Sequence, residues 1–75
     1  MQVKVMNRIY RMSRSKFEGL LKVASEQVPF GIYAAEHEKK GYAELRCDKC
    51  KSMSQLKKLT RQFKTAGYKV YANGR

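Results

Sequence analysis

The sequence predicts an α+β fold, and three observations lead to that prediction. Of the 75 residues, 43% are hydrophobic and 31% are charged, which is the balance of a small globular domain. Short segments with alternating hydrophobic residues predict strands, and two longer segments with apolar residues three and four apart predict helices. Their order predicts one domain, with a mostly antiparallel sheet and two helices on one face. Both a ferredoxin-like split βαβ plait and a ββαββαβ variant fit this order.

The N-terminal segment is β-like. Val3 and Val5 alternate with polar residues, and a second short segment of apolar and polar residues follows at 9–12. Two strands over residues 3–6 and 9–12, joined as a hairpin, satisfy this pattern, and so does one long bulged strand.

A first helix is predicted over residues 16–27. Ser15 and Glu18 have the spacing of a capping box, in which each side chain accepts a hydrogen bond from the other residue's backbone N–H. Pro29 ends the helix because proline cannot continue the helical hydrogen bonds. Gly19, inside this helix, predicts a close packing contact.

The second half of the chain repeats this organisation. Ser52 and Gln55 form another capping-box pattern, and Leu56, Leu59 and Phe63 follow it as an apolar stripe. The predicted elements are strands at 30–36, 42–47 and 68–72 and a helix at 53–66.

Positive charge is concentrated toward the C-terminal third. The chain carries 17 Lys and Arg against 6 Asp and Glu, a net charge of +11, and residues 49–75 contain no acidic residue. On the predicted second helix, about 100° per residue places Lys57, Arg61 and Lys64 within an arc of about 60°. Like charges this close destabilise a helix, so their clustering indicates a surface that contacts a polyanion.

We therefore expect a small, non-catalytic module that binds nucleic acid, DNA or RNA, mainly through this helix and the loop before it. The candidate phosphate contacts are Lys49, Lys51, Lys57, Lys58, Arg61 and Lys64. The candidate base contacts, on an open sheet face, are Arg46, Lys69, Tyr42 and Tyr71. One alternative is that the protein is a regulator of phage or mobile-element type that binds an acidic surface of a host protein. Another is that the positive charge only maintains solubility.

One segment resembles a known family. The residues KGYAELRC at 40–47 resemble the octamer on the third strand of RNA-recognition-motif domains, except that Glu44 and Cys47 stand where that family has aromatic residues. The resemblance covers these eight residues only. It implies that Tyr42, together with Tyr10 on an earlier strand, would stack on bases.

No motif predicts catalysis or a cofactor. Cys47 and Cys50 have CxxC spacing, which would complete a Cys₄ zinc site only in a homodimer, and a redox pair or two unrelated thiols are the other interpretations. His37 has no predicted catalytic partner, and no phosphate loop or nucleophile motif is present. Two cysteines, no secretory signal and no long apolar segment predict a cytoplasmic location without a membrane span.

Overall fold

A computed structural model of the chain describes residues 1–74 and contains five strands and two helices. They are β1 (Gln2–Val5), β2 (Arg8–Arg11), α1 (Arg14–Gln27), β3 (Gly31–His37), β4 (Tyr42–Lys49), α2 (Met53–Thr65) and β5 (Tyr68–Asn73). The protein is therefore α+β with the ββαββαβ order, and the ends of the elements differ from the predicted ones by at most two residues. Neither helix in residues 1–74 is long and apolar enough to cross a bilayer.

The sheet is mixed, with the strand order β2-β1-β4-β3-β5. Strands β1/β2, β3/β4 and β3/β5 pair antiparallel, whereas β1/β4 pair parallel. The expected ferredoxin-like plait is not confirmed, because in a plait the strand before the first helix is central. Here the N-terminal hairpin places β1 beside β4, so β2 becomes one edge of the sheet and β5 the other.

The two helices pack on opposite faces of the sheet, so the expectation of both helices on one face is wrong. Phe17 of α1 contacts Tyr71, with ring centroids 6.2 Å apart, and Phe63 of α2 contacts Tyr68 at 5.7 Å. Tyr68 and Tyr71 are three residues apart on the continuous strand β5, so their side chains point to opposite faces.

The handedness of strand connections explains this arrangement. The connections β2-α1-β3 and β4-α2-β5 both move toward the β5 edge, but their strands run in opposite directions. A right-handed crossover therefore places the two helices on different faces. In a plait the second connection moves back toward the other edge, which returns its helix to the face of the first.

Local signals set the helix starts. Ser13, not Ser15, caps α1, since its hydroxyl accepts a hydrogen bond from the backbone N–H of Lys16 at 3.2 Å. Ser52 caps α2 as expected, accepting from the N–H of Gln55.

The N-terminal segment is a hairpin and not one bulged strand. Val5 pairs with Arg8 across a two-residue turn, Met6-Asn7, in which Met6 adopts a φ of 59°. A non-glycine residue with positive φ is uncommon, and this turn contains no glycine that would indicate a hairpin in the sequence.

The main core lies between α1 and the sheet. Val3, Phe17 and Ala43 are fully buried there, and partly buried side chains including Leu21 and Leu45 pack around them. On the other face, α2 buries one residue, Leu56. Most of the α2 surface therefore remains in solvent.

Candidate functional site

Three basic residues of α2 line one open groove beside the β5 edge. Lys57, Arg61 and Lys64 form its wall, and its volume is about 570 Å³. The remaining lining residues are Met53, Leu56, Thr60, Thr65, Ala72 and Gly74. The structure therefore brings together the three residues that share a helical arc in the sequence. We call this surface, defined by Lys57, Arg61 and Lys64, the basic groove.

No carboxylate neutralises the basic groove within the described part of the chain. The ion pairs found in residues 1–74 involve only Arg14, with Glu18 and Glu36, and Arg46, with Glu44 and Asp48. No carboxylate of these residues comes within 4.0 Å of a basic side chain of α2. The positive charge of the helix is therefore available to an external anion.

The other predicted phosphate contacts lie outside the basic groove. Lys58 lies with Lys57 and Arg61 on the adjoining outer surface of α2. Lys49 is exposed at the end of β4, and Lys51 is exposed just before α2, where its backbone N–H donates to the side chain of Gln55 at 2.9 Å. Lys58 therefore extends the positive surface beyond the groove, whereas the Lys49 side chain follows Asp48 on β4 and points to the α1 face.

Arg46 does not offer the free guanidinium that a base contact would need. It forms ion pairs with both Glu44 and Asp48, and its guanidinium lies 4.9 Å from the centre of the Phe63 ring. The hydrogen bond to Asp48 raises the pKa of Arg46, burial opposes the shift, and the hydrogen bond to Glu44 adds to it. Arg46 is therefore a structural contact beneath α2.

Tyr71 and Lys69 lie on the α1 face, so the predicted open sheet face carrying all four base contacts is wrong. The Tyr71 hydroxyl donates to Glu36 at 2.8 Å, and Lys69 Nζ lies 5.2 Å from the Tyr71 ring centre. Arg14 contacts the same Glu36 at 2.5 Å. The hydrogen bond from Arg14 lowers the pKa of Glu36, with partial burial opposing the shift and the Tyr71 hydrogen bond adding to it.

Tyr42 lies on the opposite face, in an aromatic cluster with Tyr68 and His37. The two tyrosine hydroxyls are 2.6 Å apart, and the rings of Tyr42 and His37 stack at 5.5 Å. The hydrogen bond with Tyr42 raises the pKa of Tyr68 to about 12, and desolvation adds to the shift. The face with Tyr42 is thus separated from the face with Tyr71 by the sheet itself.

The stacking pair implied by the resemblance to RNA-recognition motifs is not assembled either. Tyr10 pairs with Val3 across the hairpin, whereas Tyr42 pairs with Gln2 on the other side of β1. Paired residues point to the same face and sequence neighbours to opposite faces. Tyr10 and Tyr42 therefore face away from each other.

Cys47, Cys50 and His37 do not form a metal-binding group in the described residues. Cys47 and Cys50 are free thiols, and Cys50 Sγ lies 3.6 Å from the Asp48 carbonyl oxygen. Residues 1–74 contain no group of three or more His, Cys, Asp or Glu side chains placed to hold a metal ion. His37 Nδ1 accepts hydrogen bonds from the backbone N–H groups of Lys39 and Lys40, which stabilises the β3–β4 turn.

Two kinds of residue at these sites lie outside the sequence predictions. Asp48 follows the end of the strand predicted at 42–47, although the pattern Glu44-x-Arg46-x-Asp48 puts all three side chains on one strand face. The groove residue Ala72 comes from β5 and Gly74 directly follows that strand, and no local pattern in the sequence places them beside α2.

No protein-family model matches the chain, and no curated protein or solved structure shows a significant match to it. The proposals below therefore rest on the geometry and charge of this chain.

Proposed function

We propose that this protein is a non-catalytic module that binds nucleic acid through the basic groove and the outer surface of α2. The single observation that carries the proposal is that Lys57, Arg61 and Lys64 line one open groove with no carboxylate of residues 1–74 beside them. A phosphate backbone is the ligand that best matches a row of cations on an exposed helix. Phosphate contacts position a protein without reading sequence, so binding is largely sequence-independent.

The spacing of these residues suits successive phosphates. Lys57 and Lys64 are seven residues apart, which is about 10 Å along a helix. Three side chains over this distance contact two or three phosphates, and each neutralised phosphate releases counterions. On duplex DNA, two or three such contacts contribute about −1.8 to −2.7 to the slope of log affinity against log salt concentration.

A salt series with two matched variants tests the proposal. One variant carries Lys57→Gln, Arg61→Gln and Lys64→Gln, and the control carries Lys16→Gln, Lys22→Gln and Lys39→Gln. Both lose three positive charges from exposed positions. For a fluorescent duplex oligonucleotide, measured by anisotropy, the slope of log affinity against log salt concentration should be shallower by about 2 to 3 in the first variant and nearly unchanged in the control. Equal losses, or no binding by the unmodified protein at low salt, contradict the proposal.

A second candidate function is binding to an acidic surface of another protein, as a regulator. The observation favouring it is the N-terminal hairpin, where Met6 is 87% exposed, Ile9 67% and Tyr10 46%, and where Arg8 and Arg11 flank Ile9 and Tyr10 in the sequence. Exposed apolar side chains near positive charges are typical of protein interaction sites. A pull-down with and without nuclease separates the candidates, because only a protein partner of this kind survives nuclease treatment.

The proposed setting is the cytoplasm, where thiols stay reduced. Cys47 and Cys50 are both free, and neither needs a partner in this fold.

A further inference from the structure

Helix α2 stands alone on its face of the sheet. It packs on β3 and β5, while α1 occupies the opposite face. On the α2 side, Gln2, Lys4 and Ile9 of the first two strands are exposed. The helix therefore protrudes from the sheet as a ridge. On one side of it solvent lies beyond the β5 edge, and on the other side the strands β1 and β2 are uncovered.

The crest of this ridge is entirely polar. With Leu56 pointing inward, about 100° per residue places Ser54, Lys58, Arg61 and Thr65 opposite to it, and all four are exposed. Lys57 and Lys64 lie on the flank toward β5 and the two glutamines of the helix on the other flank. No acidic or large apolar side chain stands on the crest.

A ridge of this shape matches one nucleic-acid surface. A helix with its side chains is about 10–12 Å across, and the major groove of B-DNA is about 12 Å wide and 8.5 Å deep. The 13 residues of α2 extend about 20 Å, enough to cross the groove. In duplex RNA the major groove is too narrow and deep for a helix.

The charges on both sides of the ridge also fit this geometry. Lys57 and Lys64 would contact one phosphate strand. Lys4 and Arg11 lie on the same sheet face as α2, because they pair with Glu44 and Gln2, respectively. Lys4 on β1 is two strands from β3, or about 10 Å, and Arg11 on β2 is three strands away, or about 14 Å, which places these cations on the side of the second phosphate strand.

Building on the proposed function, we propose that the nucleic acid is duplex DNA and that α2 enters its major groove, with Lys58 directed at base edges and Arg61 kept as a phosphate contact. Lys is suited to the base-edge position because it donates to guanine O6 and N7, which lie in that groove. Phosphate contacts from both flanks supply most of the affinity, and the crest adds a modest preference for G·C pairs.

Competition binding tests the inference. Duplex DNA, duplex RNA and single-stranded DNA of one sequence and equal phosphate number are compared at fixed salt, with methyl green as a major-groove competitor and netropsin as a minor-groove competitor. Duplex DNA should bind about ten-fold tighter than duplex RNA, and methyl green, not netropsin, should displace the protein. Equal affinity for the two duplexes, or displacement by netropsin alone, overturns the major-groove inference while leaving nucleic-acid binding intact.

Variants of the second flank provide an independent readout. Lys4→Gln with Arg11→Gln should weaken duplex DNA binding several-fold more than single-strand binding, since only a duplex presents a second phosphate strand there. Lys16→Gln with Lys22→Gln is the matched control on α1. Equal losses on duplex and single strand contradict the inference, and absence of binding to all three nucleic acids overturns the proposed function itself.

Discussion

Substituting alanine for glycine should have opposite effects on the free energy of unfolding at two positions, Gly19 and Gly31. Gly31 has a φ of 147°, and a Cβ built there would lie 2.1 Å from the carbonyl oxygen of Asp48 and 2.9 Å from the Cα of Lys49. Real Cβ atoms essentially never approach closer than 3.0 Å. Because both neighbours are backbone atoms of β4, the two strands must separate to admit the methyl group.

Gly19 presents the reverse situation. It lies inside α1, and a Cβ there meets no atom within 4 Å, so the close packing contact expected from the sequence is wrong. Alanine at an exposed helix position is favoured over glycine by about 0.8–1.0 kcal/mol. Gly19→Ala should therefore raise the free energy of unfolding by about that amount.

The cost at Gly31 has two sources. An unfavourable backbone conformation for alanine costs about 1–3 kcal/mol, and the displaced β3–β4 hydrogen bonds add to this. We expect Gly31→Ala to lower the free energy of unfolding by about 3 kcal/mol. A 75-residue domain has a total stability of about 4–11 kcal/mol, so the variant loses a large share of it.

Urea unfolding followed by circular dichroism measures both changes as shifts of the midpoint. Gly41→Ala is a third variant for comparison, since Gly41 has a φ of 66° but no atom within 4 Å of an added Cβ. It should cost about 1–2 kcal/mol from backbone conformation alone. A loss below about 1 kcal/mol for Gly31→Ala, or a destabilised Gly19→Ala, would contradict this explanation from the space around each added Cβ.

Three further outcomes follow from the polar contacts. Tyr42→Phe should lower the pKa of Tyr68 from about 12 toward 10, seen in the ultraviolet absorbance of the phenolate, because its main cause is the Tyr42 hydroxyl. The pKa of Glu36 is lowered from 4.5 by Arg14, so this contribution to stability is present above that pH and is lost as the pH falls through the lowered value. Glu36→Gln should thus flatten the loss of stability in acid, and an unchanged acid curve contradicts the assignment. Arg46→Gln removes the cation that pairs with both Glu44 and Asp48 and should cost about 1 kcal/mol of unfolding free energy, while the salt dependence of nucleic-acid binding stays unchanged.

The elements and the basic groove could be predicted because their signals are local. Ser52 caps α2 through a neighbour three residues away, and Lys57, Arg61 and Lys64 share a face because of helix periodicity. The ion pairing of Arg46 could not be predicted, for a different reason. Its pairing with Asp48 depends on β4 continuing past the end of the predicted strand.

The α+β class, the order of the elements and the row of cations on α2 follow from local sequence patterns, because each depends on residues within a turn or two of one another. The strand order, the placement of the helices on opposite faces and the separation of Tyr42 from Tyr71 follow from packing between distant segments. Alternation along a strand tells which side chains share a face but not which helix covers it. That depends on the sheet edge at which β5 docks, a long-range packing choice that no neighbouring residues encode.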